Sequence, residues 1–203
     1  MPFLLGLDIG TTSARALAVD EHGVAVATAE DAYPLLMPRP GWTEQEPEMW
    51  WQAARRTLGR VAARVSGPIV GLGLTGQMHG AIFLDAQDAV IRPALLWNEQ
   101  RTTAQCAAIT DAIGAERLVA ITGNPALTGF QAPKILWLRD NEPEAYARVA
   151  RVLLPKDFVR LRLTGVAATD ASDAAGTLLL DARRRDWSPA LLDAPGIPRS
   201  WLP

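Results

Sequence analysis

The sequence contains a single cysteine, Cys106, among its 203 residues, so no disulfide can form within the chain. Such cysteine usage is typical of a reducing compartment, and we interpret Cys106 as a small buried apolar residue. No uninterrupted apolar stretch approaches the ~20 residues that a membrane-spanning helix needs. No basic segment followed by a long apolar run opens the chain, which argues against a signal peptide. These absences predict a cytoplasmic protein with no membrane partner.

An excess of charge of either sign is also missing. The chain carries 20 Lys and Arg against 22 Asp and Glu, a net charge of −2, so nothing favours nucleic acid as a partner. One basic run, Arg183-Arg184-Arg185, is flanked by Asp181 and Asp186 and indicates a solvated turn. The glycine and lysine spacings of the P-loop and of dinucleotide-binding motifs are absent.

The opening segment, MPFLLGLDIGTTSAR, combines an apolar run, one carboxylate and a turn rich in hydroxyls. Residues 3–7 predict a buried strand that ends on Asp8, and Gly10-Thr11-Thr12-Ser13 follow at once. Such a turn offers backbone N–H groups and hydroxyls to an anion. A carboxylate beside it suits Mg²⁺, which usually takes one or two carboxylates, waters and substrate phosphates. The segment indicates phosphoryl transfer from a nucleotide, although an ordinary hairpin with Asp8 as a turn residue fits the same pattern.

The first part of the chain predicts an α/β fold. Strands at Leu4–Asp8, Ala14–Val19 and Val24–Glu30 form an antiparallel meander. Pro47 begins a helix that runs to about Val65, because apolar residues recur there at helical spacing. A buried strand follows at Ile69–Thr75. This βββαβ order is compatible with a ribonuclease-H-like, actin-like ATPase domain, in which a mixed sheet opens with the meander and carries flanking helices.

Beyond the fifth strand the pattern becomes mostly helical. Short strand-like pieces at 81–84 and 94–96 surround a turn, and a short apolar run covers 152–154. Helices are predicted at about Thr102–Ile113, Gln131–Asn141, Pro143–Val149 and Phe158–Leu163.

Seven segments that occur in order along the chain resemble the bacterial xylulokinases of the FGGY carbohydrate kinase family. The segments are LGLDIGTTSAR, GWTEQEPEMWW, GLTGQMHGAIFLDAQ, RPALLWNEQR, ITGNPALTGFQAPKILWLRDNEPE, LLPKDFVRLRLTG and TDASDAAGT. The resemblance runs from about Phe3 to Trp187. The most discriminating part is Gln77-Met78-His79-Gly80, because glycerol kinases of the family are expected to carry Arg-Glu where Met78-His79 stand here.

The resemblance implies a kinase that uses ATP and Mg²⁺, with the first hairpin facing the phosphates. Asp8 would be the catalytic and metal-orienting carboxylate, acting directly or through water. Thr11, Thr12 and Ser13 would face the β- and γ-phosphates, and Arg15 would add positive charge nearby.

The resemblance also implies a sugar site. Met78 and His79 would contact the ketose, and Gln77 would hydrogen-bond its hydroxyls from the start of the loop. Trp97 would form an apolar wall for the carbon face of the sugar, and Phe130 is a weaker candidate for the same role. Taken alone, His79 also fits a solvated loop histidine, and Trp97 also fits plain core.

Other residues in these motifs are given structural roles. Lys156 and Asp157 fit the N-terminus of a helix or an exposed ion pair, which contributes about 0–1 kcal/mol. Asp170 and Asp173 fit helix capping. Glu99 stands where relatives are expected to carry Asp, so any contact that depends on the shorter side chain is in doubt.

Residues 1–203 are expected to form the N-terminal sugar-binding domain, incomplete at its C-terminal end, with the nucleotide-binding C-terminal domain absent. The family's general base, an aspartate in a Gly-Gly-Asp-Asn type segment, is expected shortly beyond Pro203. The intact enzyme would phosphorylate D-xylulose to D-xylulose 5-phosphate, and its expected partner is a second copy of itself in a homodimer. This chain alone would be inactive. Alternatives are a ribulokinase or glycerol kinase of the same family and a non-catalytic sugar-binding module. A ribonuclease-H-like nuclease is disfavoured because Asp8 lacks an acidic partner at Thr75-Gly76-Gln77.

Overall fold

A computed structural model describes residues 1–203 in full. Its strands are β1 (Phe3–Ile9), β2 (Ser13–Val19), β3 (Ala25–Ala32), β4 (Glu44–Gln45), β5 (Ile69–Gly76), β6 (Ile82–Leu84), β7 (Ala94–Leu95), β8 (Arg151–Leu153), β9 (Leu180–Asp181) and β10 (Asp186–Trp187). Its helices are α1 (Pro47–Ala62), α2 (Thr103–Ile113), α3 (Ala115–Thr122), α4 (Gln131–Asn141), α5 (Pro143–Tyr146), α6 (Pro155–Thr164), α7 (Ala171–Ala175) and α8 (Pro189–Asp193). A 3₁₀ turn covers Arg199–Trp201.

A four-stranded mixed sheet in the order β3-β2-β1-β5 organises the first part of the chain. The first three strands pair antiparallel and β5 runs parallel to β1, so the predicted meander and mixed sheet are confirmed. Side chains alternate along β1, where Leu5, Leu7 and Ile9 are buried. This period-2 pattern covers one face of the sheet and leaves Asp8 on the other.

Helix α1 forms the crossover between β3 and β5 and packs on the buried face of the sheet. Pro47 occupies its first turn, where the missing N–H costs nothing. Trp50, Ala53, Ala54 and Val61 are completely buried at helical spacing and join the apolar side chains of β1 and β2 in one core. The helix was predicted to reach Val65 but ends at Ala62.

A second core lies among the later helices. Helices α2 and α4 contribute Ile109, Ile135 and Leu138, and β6 contributes Phe83. Helix α4 is buried almost all round. Cys106 is buried, as predicted, and the three arginines form an exposed turn between β9 and β10, also as predicted.

Strand β5 is not the buried strand that its apolar sequence predicts. Ile69, Val70 and Leu72 are 42%, 63% and 41% exposed. The reason is its position, because β5 is the outer strand of this sheet and pairs only with β1. Helix α3 and strand β4 were not predicted at all. None of the helices combines the length and the apolar character that crossing a membrane requires.

Candidate active site

The turn between β1 and β2 is held through its carbonyl groups. The Tyr33 hydroxyl donates to the Gly10 carbonyl at 2.6 Å, and the Tyr33 amide donates to Thr12 O at 3.0 Å. The Gln45 side-chain amide donates to Thr11 O at 2.7 Å. Two residues outside the hairpin, Tyr33 and Gln45, therefore fix three consecutive carbonyls. Neither Tyr33 nor Gln45 was predicted as a site residue.

Two amide groups of the same turn are left free, while the Gly10 amide donates to Ser13 O at 3.0 Å. The N–H groups of Thr11 and Thr12 donate no hydrogen bond within the chain. The chain passes close to itself here, because a Cβ added to Gly10 would lie 3.0 Å from Ser13 O and 3.7 Å from an Asp8 carboxylate oxygen. The turn thus presents two unpaired N–H groups directly after Gly10, which lies close to the Asp8 carboxylate, and such a turn suits an anion with a cation beside it.

Asp8 is partly buried on the open face of the sheet, between Arg15 of β2 and Thr75 of β5. It makes no ion pair or hydrogen bond within the chain. Burial, with a smaller contribution from the Asp8 charge, raises the pKa of Tyr33 well above its ordinary value, so the phenol stays a hydrogen-bond donor. No group of three or more His, Cys, Asp or Glu side chains is placed to hold a metal. A cation at Asp8 would complete its coordination with water and phosphate oxygens, as Mg²⁺ usually does.

The side chains of Ser13 and Arg15 contact Glu30 of β3 and do not lie beside the free amides. Arg15 pairs with Glu30 of β3 at 3.2 Å, with both side chains largely exposed. Hydrogen bonds from the Ser13 hydroxyl and then from Arg15 lower the pKa of Glu30. Five hairpin residues were predicted to bind nucleotide and metal. Of these, Asp8 has an unpaired carboxylate, and Thr11 and Thr12 have unpaired backbone N–H groups.

The loop after β5 is anchored to the hairpin through Gln77. Its amide donates to Ile9 O at 2.7 Å, and its side-chain NH₂ donates to Gln45 Oε1 at 3.0 Å. Gln45 thus links the loop to Thr11. The Gln77 Oε1 atom is buried with no partner in the chain. Met78 is half-exposed and lies outside the pocket described below.

The His79 side chain is clamped on several sides. Its backbone adopts φ 64°, a left-handed conformation that is uncommon for a non-glycine residue. Its Nδ1 atom lies 2.8 Å from the Gly176 carbonyl, and its ring packs edge-on against Phe130 at 5.0 Å between centroids. The Lys134 ammonium donates to the His79 carbonyl at 2.9 Å. Burial lowers the pKa of His79. The hydrogen bond with Gly176 opposes this shift by raising the pKa, and the Lys134 charge lowers it further.

A pocket of about 400 Å³ opens beside His79. Three predicted sugar-site residues line it: His79, Trp97 and Phe130. Trp97 is 47% exposed, so it forms a wall of the pocket and is not part of the core. Its indole N–H donates to the Thr11 hydroxyl at 3.1 Å, which joins this pocket to the hairpin. The other lining residues, which were not predicted, are Asn98, Gln100, Leu127, Thr128 and Gly129.

A larger depression of about 940 Å³ covers the open face of the sheet. Its floor contains Gly6 and Gly73, and it reaches Asp8 and Arg15 at one end. Apart from the Arg15–Glu30 pair its only charged group is Asp8. The smaller pocket has the aromatic wall and the polar groups that a sugar requires, so we take it as the candidate sugar site.

Lys134 was not predicted as a functional residue. Its ammonium is completely buried and donates to the carbonyls of His79, Gly129 and Phe130. Burial lowers the pKa of Lys134 to about 7, and the nearby Glu99 charge opposes this shift. Lys134 lies in the QAPK part of a recognised motif, which was the only signal in the sequence.

Lys156 and Asp157 form a buried pair, not the exposed one that was considered. The Lys156 ammonium lies 2.8 Å from Asp157, 2.8 Å from Asp170 and 3.3 Å from Asp173. Burial disfavours its charge, but the hydrogen bonds to Asp157 and Asp170 outweigh this and raise the pKa of Lys156. Asp170 accepts from the Asp173 amide at the start of α7, which confirms the predicted cap.

Glu99 is completely buried and organises the loop that follows Trp97. Its carboxylate accepts from the amides of Gln100, Arg101 and Thr43 at 2.7–3.1 Å. It also pairs with the Arg101 guanidinium at 2.7 Å. The longer glutamate thus has a full set of partners here, and its role is to shape one wall of the pocket.

A mixed sheet, a hairpin with two free amides that follows a carboxylate, and an adjoining aromatic pocket are the features that the resemblance implies for the N-terminal domain of a carbohydrate kinase. The model of the N-terminal domain of the FGGY family of carbohydrate kinases matches residues 3–203. The chain therefore belongs to the FGGY family of carbohydrate kinases.

Individual relatives agree with this assignment. The chain is 43% identical over 200 residues to the xylulose kinase of Escherichia coli K12, covering 98% of this chain and 41% of that protein. It is 44% identical over 206 residues to the xylulose kinase of Lactococcus lactis, covering 100% of this chain and 41% of the relative. A crystal structure of a "xyloylose kinase" from Brucella ovis superposes with a TM-score of 0.93 at 42% identity, over 99% of this chain and 42% of that one. The chain thus spans about two fifths of the length of these relatives.

Proposed function

We propose that this chain forms the sugar-binding and phosphate-facing part of an ATP-dependent ketose kinase. The observation that carries the proposal is the hydrogen bond from Trp97, in the wall of the pocket, to Thr11, in the hairpin. A sugar in the pocket would lie next to a phosphate held at the turn. Phosphoryl transfer depends mainly on such positioning and on charge stabilisation, so the arrangement suits that reaction.

The acceptor that we propose is D-xylulose, phosphorylated at its terminal hydroxyl to D-xylulose 5-phosphate. The similarity to proteins named xylulose kinases and the Gln77–Gly80 loop support this choice. Trp97 would stack on the carbon face of the sugar, with Phe130 supporting His79. Gln77 and Met78 do not line this pocket, so their proposed role is to shape the loop that carries His79, which Gln77 anchors to Ile9 and Gln45.

ATP and Mg²⁺ are the cofactors that we propose. The free amides of Thr11 and Thr12 would bind phosphate oxygens, and Asp8 would hold the cation directly or through water. When bound, the cation would neutralise charge that develops on the β- and γ-phosphates. Ser13 and Arg15 would contribute from the edge of the hairpin, and Arg15 would first have to release Glu30.

No carboxylate lines the sugar pocket. We therefore propose that the general base, an aspartate in the resemblance, and the nucleotide-binding domain belong to parts of the protein outside residues 1–203. On this proposal the chain alone binds ketose without turning it over.

A substrate panel with the full-length protein tests the activity. ADP release is measured with D-xylulose, L-ribulose and glycerol, and we expect the highest kcat/KM with D-xylulose. Asp8→Asn keeps the shape of the side chain and removes its charge, so kcat should fall at least ~100-fold. Asp111→Asn, an exposed carboxylate on α2, is the matched control. Faster turnover of glycerol or L-ribulose would contradict the choice of sugar.

Calorimetry on the 203-residue chain tests whether these residues bind the ketose without the general base and the nucleotide-binding domain. D-xylulose should bind weakly, His79→Ala should abolish binding, and His22→Ala in the exposed turn between β2 and β3 should leave it unchanged. ADP production by this chain near the rate of the full-length protein would show that the base lies within residues 1–203.

A further inference from the structure

We propose that Gly176 and Lys134 are positioning residues that hold His79 as the Nδ1–H tautomer, so that Nε2 presents a hydrogen-bond acceptor to a sugar hydroxyl. The inference rests on the proposed function for the identity of the sugar. The tautomer itself follows from contacts within the chain.

The contact with Gly176 decides which ring nitrogen carries the proton. A carbonyl oxygen only accepts hydrogen bonds, and it lies 2.8 Å from Nδ1. Nδ1 must therefore carry hydrogen. Nε2 makes no hydrogen bond within the chain. Because burial lowers the pKa of His79, the ring is neutral near pH 7 and Nε2 carries a lone pair. A hydroxyl that meets Nε2 must donate.

Gly176 must be glycine for this contact to form. A Cβ at position 176 would lie 2.3 Å from His79 Nδ1 and 2.5 Å from Cε1, closer than any real contact. The imidazole therefore lies directly on the backbone of Gly176, at the end of α7. Any side chain here would push the ring away and break the bond to the carbonyl.

Lys134 fixes the backbone from which the ring extends. Its ammonium has three donors, and three carbonyls accept from it: His79, Gly129 and Phe130. The first belongs to the loop after β5, and the other two belong to the opposite wall of the pocket. One buried amino group thus ties both walls together and holds His79 at its unusual φ of 64°. The charged groups around it are Glu99 and Arg101 on the preceding loop, and the neutral titratable groups are the Cys106 thiol on α2 and the His79 ring itself.

Nitrogen NMR on the full-length protein reads the tautomer without any turnover. With ¹⁵N-labelled histidine, the signals that disappear in His79→Asn belong to His79. We expect a protonated Nδ1 and an unprotonated Nε2 at pH 7. A protonated Nε2 would overturn the proposal even if the kinase activity is confirmed. If NMR shows the expected tautomer but the full-length protein phosphorylates no ketose, the positioning role of Gly176 and Lys134 is supported and only the proposed function is contradicted.

Kinetics test the two positioning residues. Gly176→Ala and Lys134→Met should each raise KM for the ketose at least 10-fold and leave KM for ATP unchanged. The fall in kcat should be smaller than the rise in KM for the ketose, because the contact with Nε2 already exists when the sugar is bound in the ground state. Both should also shift the His79 nitrogen signals. Gly196→Ala strains a glycine at φ 74° with open space around it, and Ile135→Val trims a core residue beside Lys134, so both controls lose stability without touching the pocket.

The comparison remains decisive when a variant folds poorly. If the controls raise KM for the ketose as much as Gly176→Ala and Lys134→Met do, general loss of stability explains the effect and the positioning role is rejected. If neither positioning variant folds, the tautomer measured in the unaltered protein decides alone.

Discussion

The indole N–H of Trp97 donates to the hydroxyl of Thr11 at 3.1 Å, across 86 residues of chain. This single bond joins the wall of the sugar pocket to the hairpin that would face the phosphates. The bond would let both features serve one reaction although they lie on separate segments.

Trp97→Phe tests this link directly. The phenyl ring keeps an apolar wall but loses the N–H donor, and a neutral hydrogen bond contributes about 0.5–1.5 kcal/mol. We expect the kcat/KM for the ketose to fall by roughly 2- to 10-fold, while Trp97→Ala, which also removes the wall, should fall further. Trp51→Phe on α1, half-buried and outside the pocket, is the matched control. Equal values for Trp97→Phe and the unaltered protein would show that the bond is not used.

Tyr33 tests whether the carbonyl side of the hairpin matters to the nucleotide. Tyr33→Phe removes the 2.6 Å bond to Gly10 O and should lower the free energy of unfolding by about 0.5–1.5 kcal/mol. The turn should also loosen, so KM for ATP should rise more than KM for the ketose. Tyr146→Phe, whose hydroxyl makes no hydrogen bond within the chain, is the control. Urea unfolding and two-substrate kinetics give the two readouts. A fall in stability with unchanged KM for ATP would limit Tyr33 to a structural role.

Local sequence patterns predicted helices and strands well where the buried residues recur at the spacing of a helix or a strand. Helix α1 shows this, because Trp50, Ala54 and Val61 repeat at helical spacing and all are buried. Helix α3 was missed because its 8 residues lie between Gly114 and Gly123, which suggest a loop.

The candidate site was predictable only in part. Motifs found His79, Trp97 and Phe130, which the structure brings to one pocket. They missed Lys134, because a lysine in a helix is normally exposed and only the folded chain brings three carbonyls to its ammonium. The apolar run at Ile69–Thr75 also overestimated the burial of β5, because the position of a strand within a sheet depends on pairing between distant segments.

Glu99 should be essential for stability. Glu99→Ala would leave the buried Arg101 guanidinium with Glu44 as its remaining carboxylate partner. It would also take the acceptor away from three backbone amides, so we expect the free energy of unfolding to fall by about 3–5 kcal/mol. Glu99→Asp keeps the charge but shortens the reach, so its cost should be smaller, and the displaced loop should raise KM for the ketose. Glu116→Ala, an exposed side chain on α3, is the control. Urea unfolding checks the order of the three variants. A Glu99→Ala protein as stable as the control would show that Glu44 alone is enough to stabilise the buried Arg101 charge.

The cluster around Lys156 should make stability fall at alkaline pH. The folded-state pKa of Lys156 is raised above the 10.5 of an unperturbed lysine. The folded protein therefore binds the proton more tightly than the unfolded chain, so the contribution of Lys156 is complete below pH 10.5 and is lost as pH rises above it. Lys156→Met should lose about 3–5 kcal/mol at pH 8, because Asp157 stays buried without its cation. The double variant Lys156→Met/Asp157→Asn removes both charges and should recover part of that loss. Urea unfolding from pH 8 to 11.5 compares the three proteins, and parallel pH profiles for the unaltered protein and the double variant would refute the role of Lys156.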